Sequence, residues 1–263
     1  MQISYSAIWE DTVRLIRAHA SLAIALAGVF LFLPGLLVGH FLPTPQATEA
    51  DESIRQLGEH FRNNFHWLLL NGLLSMAGTL AILFLVLRGG ATSVGTAIAA
   101  GFTLLIPYFI AAILTGIPIA IGFLLLIVPG LYLLGRFVPL APTMVAEGIR
   151  NPLTAIGRTW RLTAGHGWAI TGLFILVAVA GFILASVVAG IIAVILRIAL
   201  PDDLSSFLGM VVSTAVMTAL QVVIIFLYAA IYRRLAGRPA AAATAAGTGS
   251  ADPGAVPPAD GPR

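Results

Sequence analysis

Apolar stretches of about twenty residues recur along this chain, separated by short segments that hold most of the charged positions. Twenty apolar residues form an α-helix just long enough to cross a hydrocarbon core of about 30 Å. The pattern predicts six spans: Ser21–Phe41, His66–Leu87, Phe102–Val128, Leu131–Ala146, Trp168–Leu196 and Phe207–Tyr232. We therefore expect an all-α, polytopic membrane helix bundle over residues 1–235, arranged as three transmembrane hairpins.

The middle hairpin is predicted from a break inside one long apolar run. Between Gly89 and Ala146 the only charged residue is Arg136, so these residues must hold more than one crossing. Pro129 and Gly130 together favour a tight reversal, because proline and glycine both interrupt helices. Arg136 would then lie about 9 Å inside the fourth span, at 1.5 Å per residue.

Composition agrees with a membrane protein. Hydrophobic residues make up 59% of the chain and charged residues 10%, whereas soluble domains carry about 25% charged residues. The formal net charge is +3, and the arginines stand at the ends of spans, which is typical of a topology signal and not of a nucleic-acid-binding patch. The chain has no cysteine, which excludes disulfides and thiolate metal ligands.

Arginine is distributed unequally between the two sets of connecting segments. One set carries Arg14, Arg17, Arg88, Arg150, Arg158, Arg161, Arg233, Arg234 and Arg238. The other set carries Arg55, Arg62 and Arg197, together with most of the acidic residues. Because arginine is enriched in cytoplasmic loops, the distribution predicts that both termini are cytoplasmic.

A short segment of interfacial character precedes each hairpin. "SAIWEDTVRLIRAH" and "NPLTAIGRTWRLTAGH" each place apolar side chains on one helical face and arginines on the other, as amphipathic helices at a membrane surface do. Asn151 is the expected N-cap of the last of these helices and Pro152 its first residue. The middle segment, "SVGTAIAAGF", carries no charge. Short matches between the segments predict three repeats, 1–88, 92–147 and 150–234.

Segment 236–263 is rich in alanine, proline and glycine and nearly lacks bulky apolar residues. Such a sequence cannot bury a core, so we predict a disordered cytoplasmic tail. The membrane domain is therefore expected to end near residue 235.

Two consecutive stretches carry a family resemblance, "LLLIVPGLYLLGRFVPLAPTMVAEG" and "NPLTAIGRTWRLTAGHGW". They resemble the membrane domain associated with bacterial glycerophosphoryl diester phosphodiesterases and the related YciC-like inner-membrane family. The resemblance implies a multi-pass domain of the bacterial inner (plasma) membrane. It implies no catalytic residue, because the motifs of the soluble phosphodiesterase barrel have no counterpart here.

Arg136 has two open interpretations. In one it snorkels to the outer headgroups or donates to free carbonyls near Pro139. In the other it holds a lipid phosphate or an anionic substrate. Arg158, Arg161 and Trp160 are further candidates for contact with lipid or an anion, since arginine favours anionic headgroups and tryptophan favours the interface.

Polar side chains also recur at helical intervals inside two predicted spans. They are Asn71, Ser75 and Thr79 on the second span and Thr214, Thr218 and Gln221 on the sixth. Such stripes are typical of helix packing through interhelical hydrogen bonds, which is the favoured interpretation, and a polar permeation path is the alternative.

The connector after the first span holds acidic and histidine side chains: Glu49, Asp51, Glu52, Glu59, His60 and His66. Their spacing matches no common metal motif, and we predict a solvated loop. The sequence also has no motif of a nucleophile or a phosphate-binding loop. We therefore expect no catalytic residue, no metal and no cofactor.

The leading hypothesis is a non-enzymatic membrane protein, a scaffold that organises lipids, anionic ones among them, or partner proteins, including copies of itself. The alternative is a small transporter or lipid-handling protein that uses Arg136 to bind an anionic headgroup. Nucleic acid is not an expected partner.

Overall fold

The computed structural model describes residues 4–42, 50–88 and 93–248. They are helical apart from short breaks, and no strand occurs in them. In chain order the elements are α1 (Tyr5–Ala27), a π-helical segment (Gly28–Phe32), α2 (Leu33–Phe41), α3 (Ala50–Arg88), α4 (Val94–Leu125), α5 (Ile127–Phe137), α6 (Leu140–Glu147), α7 (Pro152–Leu162), α8 (Gly167–Ala199) and α9 (Asp202–Thr248).

Six helical stretches of this part of the chain are long and apolar enough to cross a membrane. They are Tyr5–Phe41, Asp51–Arg88, Val94–Leu125, Ile127–Glu147, Gly167–Ala199 and Asp202–Gly237. Each overlaps one predicted span, so the prediction of an all-α bundle with six spans is confirmed. The chain is a multi-pass membrane protein.

The first span contains a π-helical segment whose cause is a proline. Pro34 lies in the first turn of α2, and it has no N–H to donate and would crowd the carbonyl four residues earlier in a regular α-helix. The helix instead widens by one residue, and the Leu33 N–H bonds to the Gly28 carbonyl. Gly78 brings α3 close to this segment, since a Cβ at that position would lie 2.5 Å from the Cβ of Phe30.

The turn of the middle hairpin lies at Leu126, three residues before the predicted Pro129-Gly130. Leu126 is extended, with φ −158° and ψ 139°, and α5 begins at the next residue. Pro129 occupies the first turn of α5, where a missing N–H loses no intrahelical bond. Gly130 does not form the turn; it allows α5 to pack closely against α4. A Cβ at this position would lie 2.5 Å from the ring of Phe123 on α4.

Only the last of the three predicted interfacial segments forms a separate helix. In α7 the Asn151 side chain accepts hydrogen bonds from the N–H groups of Leu153 and Thr154, so the predicted N-cap is confirmed. Gly165, at φ 74°, separates α7 from α8. The other two segments continue directly into α1 and α4, because neither contains a left-handed residue that would end the helix. The three-repeat arrangement stays a prediction.

The acidic connector after the first span is helical and not the predicted loop. α3 begins at Ala50, so Asp51 to His66 belong to its first turns. Arg55 contacts Glu52 at 2.6 Å and Glu59 at 3.0 Å, three and four residues away, which is the spacing that stabilises a helix. Glu49 lies outside the described residues.

Part of the segment predicted to be disordered, residues 236–248, is helical. α9 continues to Thr248. The remainder of that segment, residues 249–263, lies outside the described ranges.

The packed core occupies the half of the bundle that carries most of the arginines, which we call the arginine-rich end. The second halves of α3 and α9 meet α1 and α6 there. The largest fully buried side chains are Leu26, Leu80, Ile82, Leu83, Val86, Met144, Val145, Ile170, Phe226, Leu227 and Ile231, with Thr12. In the opposite half α2 buries none of its residues. The two halves therefore differ in how tightly they are filled.

Candidate functional site

Arg136 is buried, with 5% of its surface exposed, where α5 meets α7 and α8. Its Nη2 donates to the Trp160 carbonyl at 2.6 Å, and its Nη1 donates to the Thr163 carbonyl at 3.3 Å. The guanidinium also lies 3.9 Å from the centre of the Trp160 ring. The last carbonyls of a helix have no intrahelical donor and carry partial negative charge, so Arg136 satisfies the carboxyl end of α7.

Small residues allow Arg136 to reach α7. A Cβ on Gly167 would lie 2.9 Å from the Cδ of Arg136, and a Cβ on Gly135 would lie 1.7 Å from the Thr171 Oγ1. The Thr171 hydroxyl donates to the Leu131 carbonyl at 3.3 Å, which binds α8 to α5. This corner, formed by α5, α7 and the start of α8, is closed by hydrogen bonds from side chains to backbone carbonyls.

These contacts favour the structural interpretation of Arg136. It lies ten residues after the turn at Leu126, about 15 Å along the helix instead of the predicted 9 Å. The carbonyls that accept its hydrogen bonds lie at the end of α7 and not at the break near Pro139. Its Nε has no partner within the described residues, but Arg136 lines none of the cavities described below.

Arg158 is engaged by a carboxylate. Its Nε donates to the two oxygens of Glu147 at 3.0 and 2.8 Å, and the Tyr232 hydroxyl donates to the same carboxylate at 3.2 Å. The hydrogen bond to Glu147 raises the pKa of the Arg158 guanidinium above its ordinary value. These three side chains bind α7 to α6 and α9.

Arg161 and Trp160 are both exposed. Arg161 is exposed and makes no side-chain hydrogen bond or ion pair within the described ranges. Trp160 is 41% exposed, and its ring lies 5.8 Å from the ring of Phe137. Of the four predicted contacts, Arg136 is thus buried, Arg158 is paired with a carboxylate at the surface, and Arg161 and Trp160 are exposed.

A cavity at the arginine-rich end was not predicted. It measures about 310 Å³ and is lined by Phe84, Arg88, Ala100, Thr103, Leu104, Val145, Gly148 and Arg150. We call it the basic cavity, because two of these residues are arginines and none is acidic. Arg88 is oriented by a hydrogen bond from its Nε to the Val145 carbonyl at 3.3 Å.

Gly148 makes room for the Arg88 side chain in this cavity. It ends α6 in the left-handed conformation, at φ 68°, which favours glycine. A Cβ at this position would lie 2.9 Å from the Arg88 Nη2. The sequence places both arginines at span ends, but it gives no sign that residues about sixty positions apart share one cavity.

The two predicted polar stripes face each other across a second cavity, of about 300 Å³. It is lined by Leu31, Gly35, Asn71, Ser75, Ser213, Thr214, Met217, Thr218 and Gln221. We call it the polar cavity. Thr79 is not among its lining residues. Both stripes thus line one cavity, but none of the hydrogen bonds within the described residues joins them side chain to side chain, so their role in helix packing stays a prediction.

Among the described residues, no group of three or more His, Cys, Asp or Glu side chains is placed to hold a metal ion. The acidic and histidine side chains of α3 are spread along the helix instead.

Comparison with known proteins identifies a family without a known activity. A family model described as Domain of unknown function (DUF7847) matches residues 5–235, and the chain belongs to that family. No curated protein and no solved structure matches. The resemblance to the phosphodiesterase-associated and YciC-like membrane domains is not tested by these findings and stays a prediction.

Proposed function

We propose that this protein is a non-enzymatic, multi-pass scaffold of the bacterial inner membrane that binds anionic lipid at its arginine-rich end and organises the surrounding lipid. The observation that carries the proposal is the basic cavity. Arg88 and Arg150 share one space of about 310 Å³, and none of its described lining residues carries a carboxylate. Basic pockets between transmembrane helices are suited to anionic lipid headgroups.

The charges around this cavity are not neutralised from within. Glu147 is the nearest acidic residue in sequence to Arg150, and its two oxygens are bound by Arg158. Arg150 is exposed and makes no side-chain hydrogen bond or ion pair within the described residues. The planar guanidinium fork matches the oxygens of a phosphate group. Each arginine near an anionic membrane surface contributes about 1 kcal/mol to the attraction.

The proposed orientation places this end in the cytoplasm, because arginine-rich connectors are retained there. The chain has no native cysteine, so single cysteines report sidedness without background. In intact cells, Arg62→Cys should react with a membrane-impermeant maleimide, and Arg161→Cys should react only after lysis. The reverse pattern would contradict the orientation.

The binding proposal is tested by the lipids that the protein retains. After mild extraction, mass spectrometry should find phosphatidylglycerol or cardiolipin with the natural protein and several-fold less with Arg150→Gln. Arg62→Gln is the matched control, since it removes one exposed arginine from the opposite end. Equal retention of anionic lipid by the natural protein, Arg150→Gln and Arg88→Gln would overturn the proposal.

Partner proteins and self-association stay predictions. The alternative, a transporter in which Arg136 holds an anionic headgroup, has less support. The Arg136 guanidinium is turned toward the carbonyls of α7 and away from the cavities.

A further inference from the structure

We infer that the polar cavity, together with an apolar chamber beside it, forms a binding site for a neutral lipid with a hydroxyl-bearing head, such as an acylglycerol or a long-chain alcohol. This inference is independent of the anionic site. The basic cavity lies in a different part of the bundle from the polar cavity and the chamber, and it shares no lining residue with either.

The polar cavity holds side chains whose hydrogen bonds are not made. The Asn71 Oδ1 atom is buried and accepts no hydrogen bond from the described residues. Among the described residues, no hydrogen bond involves the side chains of Ser75, Thr214, Thr218 or Gln221. An acceptor buried in hydrocarbon without a donor is costly, because lipid chains supply no donor.

Most of the described threonines outside the polar cavity behave differently. Seven of them donate to the carbonyl four residues earlier: Thr12, Thr103, Thr115, Thr143, Thr159, Thr163 and Thr171. That bond is the usual way in which a hydroxyl is satisfied inside a membrane helix. Thr214 and Thr218 make no such bond, so their hydroxyls are available to an occupant of the cavity.

An apolar chamber of about 620 Å³ adjoins the polar cavity, and Asn71 lines both. The other lining residues of the chamber are Val29, Leu33, Pro34, Leu37, Val38, Phe41, Leu42, Trp67, Leu70 and Leu74. One molecule can therefore place an aliphatic chain in the chamber and a polar head at Asn71. This arrangement identifies an amphiphile, not a small polar solute.

The head must be uncharged and must donate hydrogen bonds. Among the described residues, no charged side chain lines either cavity. A phosphate or an ammonium would be buried there without a counter-ion, at a cost that intramembrane sites avoid by pairing charges. A hydroxyl, by contrast, donates to the Asn71 Oδ1 and accepts from Thr214 or Thr218.

The position of the site along the bundle agrees with such a lipid. Asn71 lies seventeen residues before Arg88, or about 26 Å along α3, and Gln221 lies twelve residues before Arg233, or about 18 Å along α9. Both are therefore inside a hydrocarbon layer of about 30 Å, in its half opposite the arginine-rich end. The wall nearest them is fixed by the π-helical segment, which contributes Leu31 to the polar cavity.

The native fluorescence of Trp67 provides the test, because this residue lines the chamber. The full-length protein in detergent micelles is titrated with a diacylglycerol that carries brominated acyl chains. We expect saturable quenching that disappears in Trp67→Phe. A long-chain alcohol without bromine should compete if the hydroxyl head is the recognised group, and failure to compete would restrict the ligand to acylglycerols.

Variants of the two stripes separate a specific site from ordinary lipid contact. Asn71→Leu and Thr218→Val should each weaken the apparent affinity about three- to tenfold, the effect of one intramembrane hydrogen bond. Thr79→Val, on the same stripe but outside the cavity, should bind as the natural protein does. If Asn71→Leu is not monodisperse, Thr218→Val decides alone.

Three results would overturn the inference. One is quenching that never saturates. Another is equal quenching by brominated phosphatidylglycerol, which would indicate ordinary contact with bulk lipid. The third is unchanged affinity in the variants that line the polar cavity.

Discussion

The corner at Arg136 and the polar cavity are both polar regions inside an apolar bundle, but they are built differently. At the corner, two nitrogens of the guanidinium donate to carbonyls of α7, and the Thr163 hydroxyl returns a bond to the Arg136 carbonyl at 3.3 Å. At the polar cavity, the Asn71 Oδ1 is buried without a donor.

The difference distinguishes structural polar groups from available ones. A charge inside a bundle is retained when the fold supplies its partners, because an unpaired charge there is expensive. A neutral amide or hydroxyl that is buried without a hydrogen-bond partner costs less free energy than an unpaired charge, so it can remain available to a ligand. The residue that looks most unusual in the sequence, Arg136, therefore has the more structural role of the two.

The largest effect is expected for Arg136→Leu, which removes the donors from the carboxyl end of α7. Hydrogen bonds to charged groups contribute about 1.5–3 kcal/mol each, so we expect the free energy of unfolding to fall by about 3–5 kcal/mol. Denaturant unfolding in detergent micelles measures it. Arg161→Leu, which removes an exposed arginine of α7 itself, is the control and should change stability by less than about 0.5 kcal/mol.

The opposite result for Arg136 would revive the anion-binding hypothesis. If Arg136→Leu were as stable as the natural protein but lost its anionic lipid, Arg136 would be a ligand-binding residue and the corner would not depend on it.

Gly135→Ala should have the next largest effect. The added Cβ would meet the Thr171 Oγ1 at 1.7 Å and the Thr171 Cα at 2.9 Å, so α5 and α8 must separate. Overpacking of this kind costs about 1–3 kcal/mol, which a lowered midpoint of thermal unfolding would show. Gly116→Ala is the matched helix control, because no atom lies within 4 Å of its added Cβ. Equal behaviour of the two variants would mean that the corner is loosely packed.

The smallest effect on stability is expected for Asn71→Leu. Unlike the two preceding variants, it should not lower the free energy of unfolding. Replacing an unsatisfied buried amide with an apolar side chain leaves stability unchanged or raises it by about 1 kcal/mol. Thermal unfolding without added lipid measures the change, with Ser213→Ala as the control, since the Ser213 hydroxyl already donates to the Met210 carbonyl at 2.9 Å. A loss of more than about 2 kcal/mol would mean that Asn71 has a partner inside the protein.

The sequence was sufficient for the spans because their signal is local. Runs of twenty apolar residues and the arginines at their ends do not depend on which helices become neighbours. The N-cap at Asn151 was predicted for the same reason, since capping depends on the next three residues. The prediction of a turn at Pro129-Gly130 was wrong, because proline is also tolerated in the first turn of a helix.

The partners of individual side chains could not be predicted in this way. The sequence left three possible partners for Arg136: outer headgroups, carbonyls near Pro139 or an anion. The choice among them depended on the position of the carboxyl end of α7 relative to α5. The pairing of Arg158 with Glu147 also required the chain to bend back between α6 and α7, at Gly148.

The sequence by itself therefore determined that this chain crosses a membrane as a helical bundle and which two stripes of its spans are polar. Hydrophobic length and arginine position settle these properties within each segment. Only the tertiary structure decided that Arg136 closes a helix end, that Arg88 and Arg150 share a cavity, and that the two stripes line one open space instead of filling it. These properties depend on distances between helices, which small residues and the widened turn before Pro34 set.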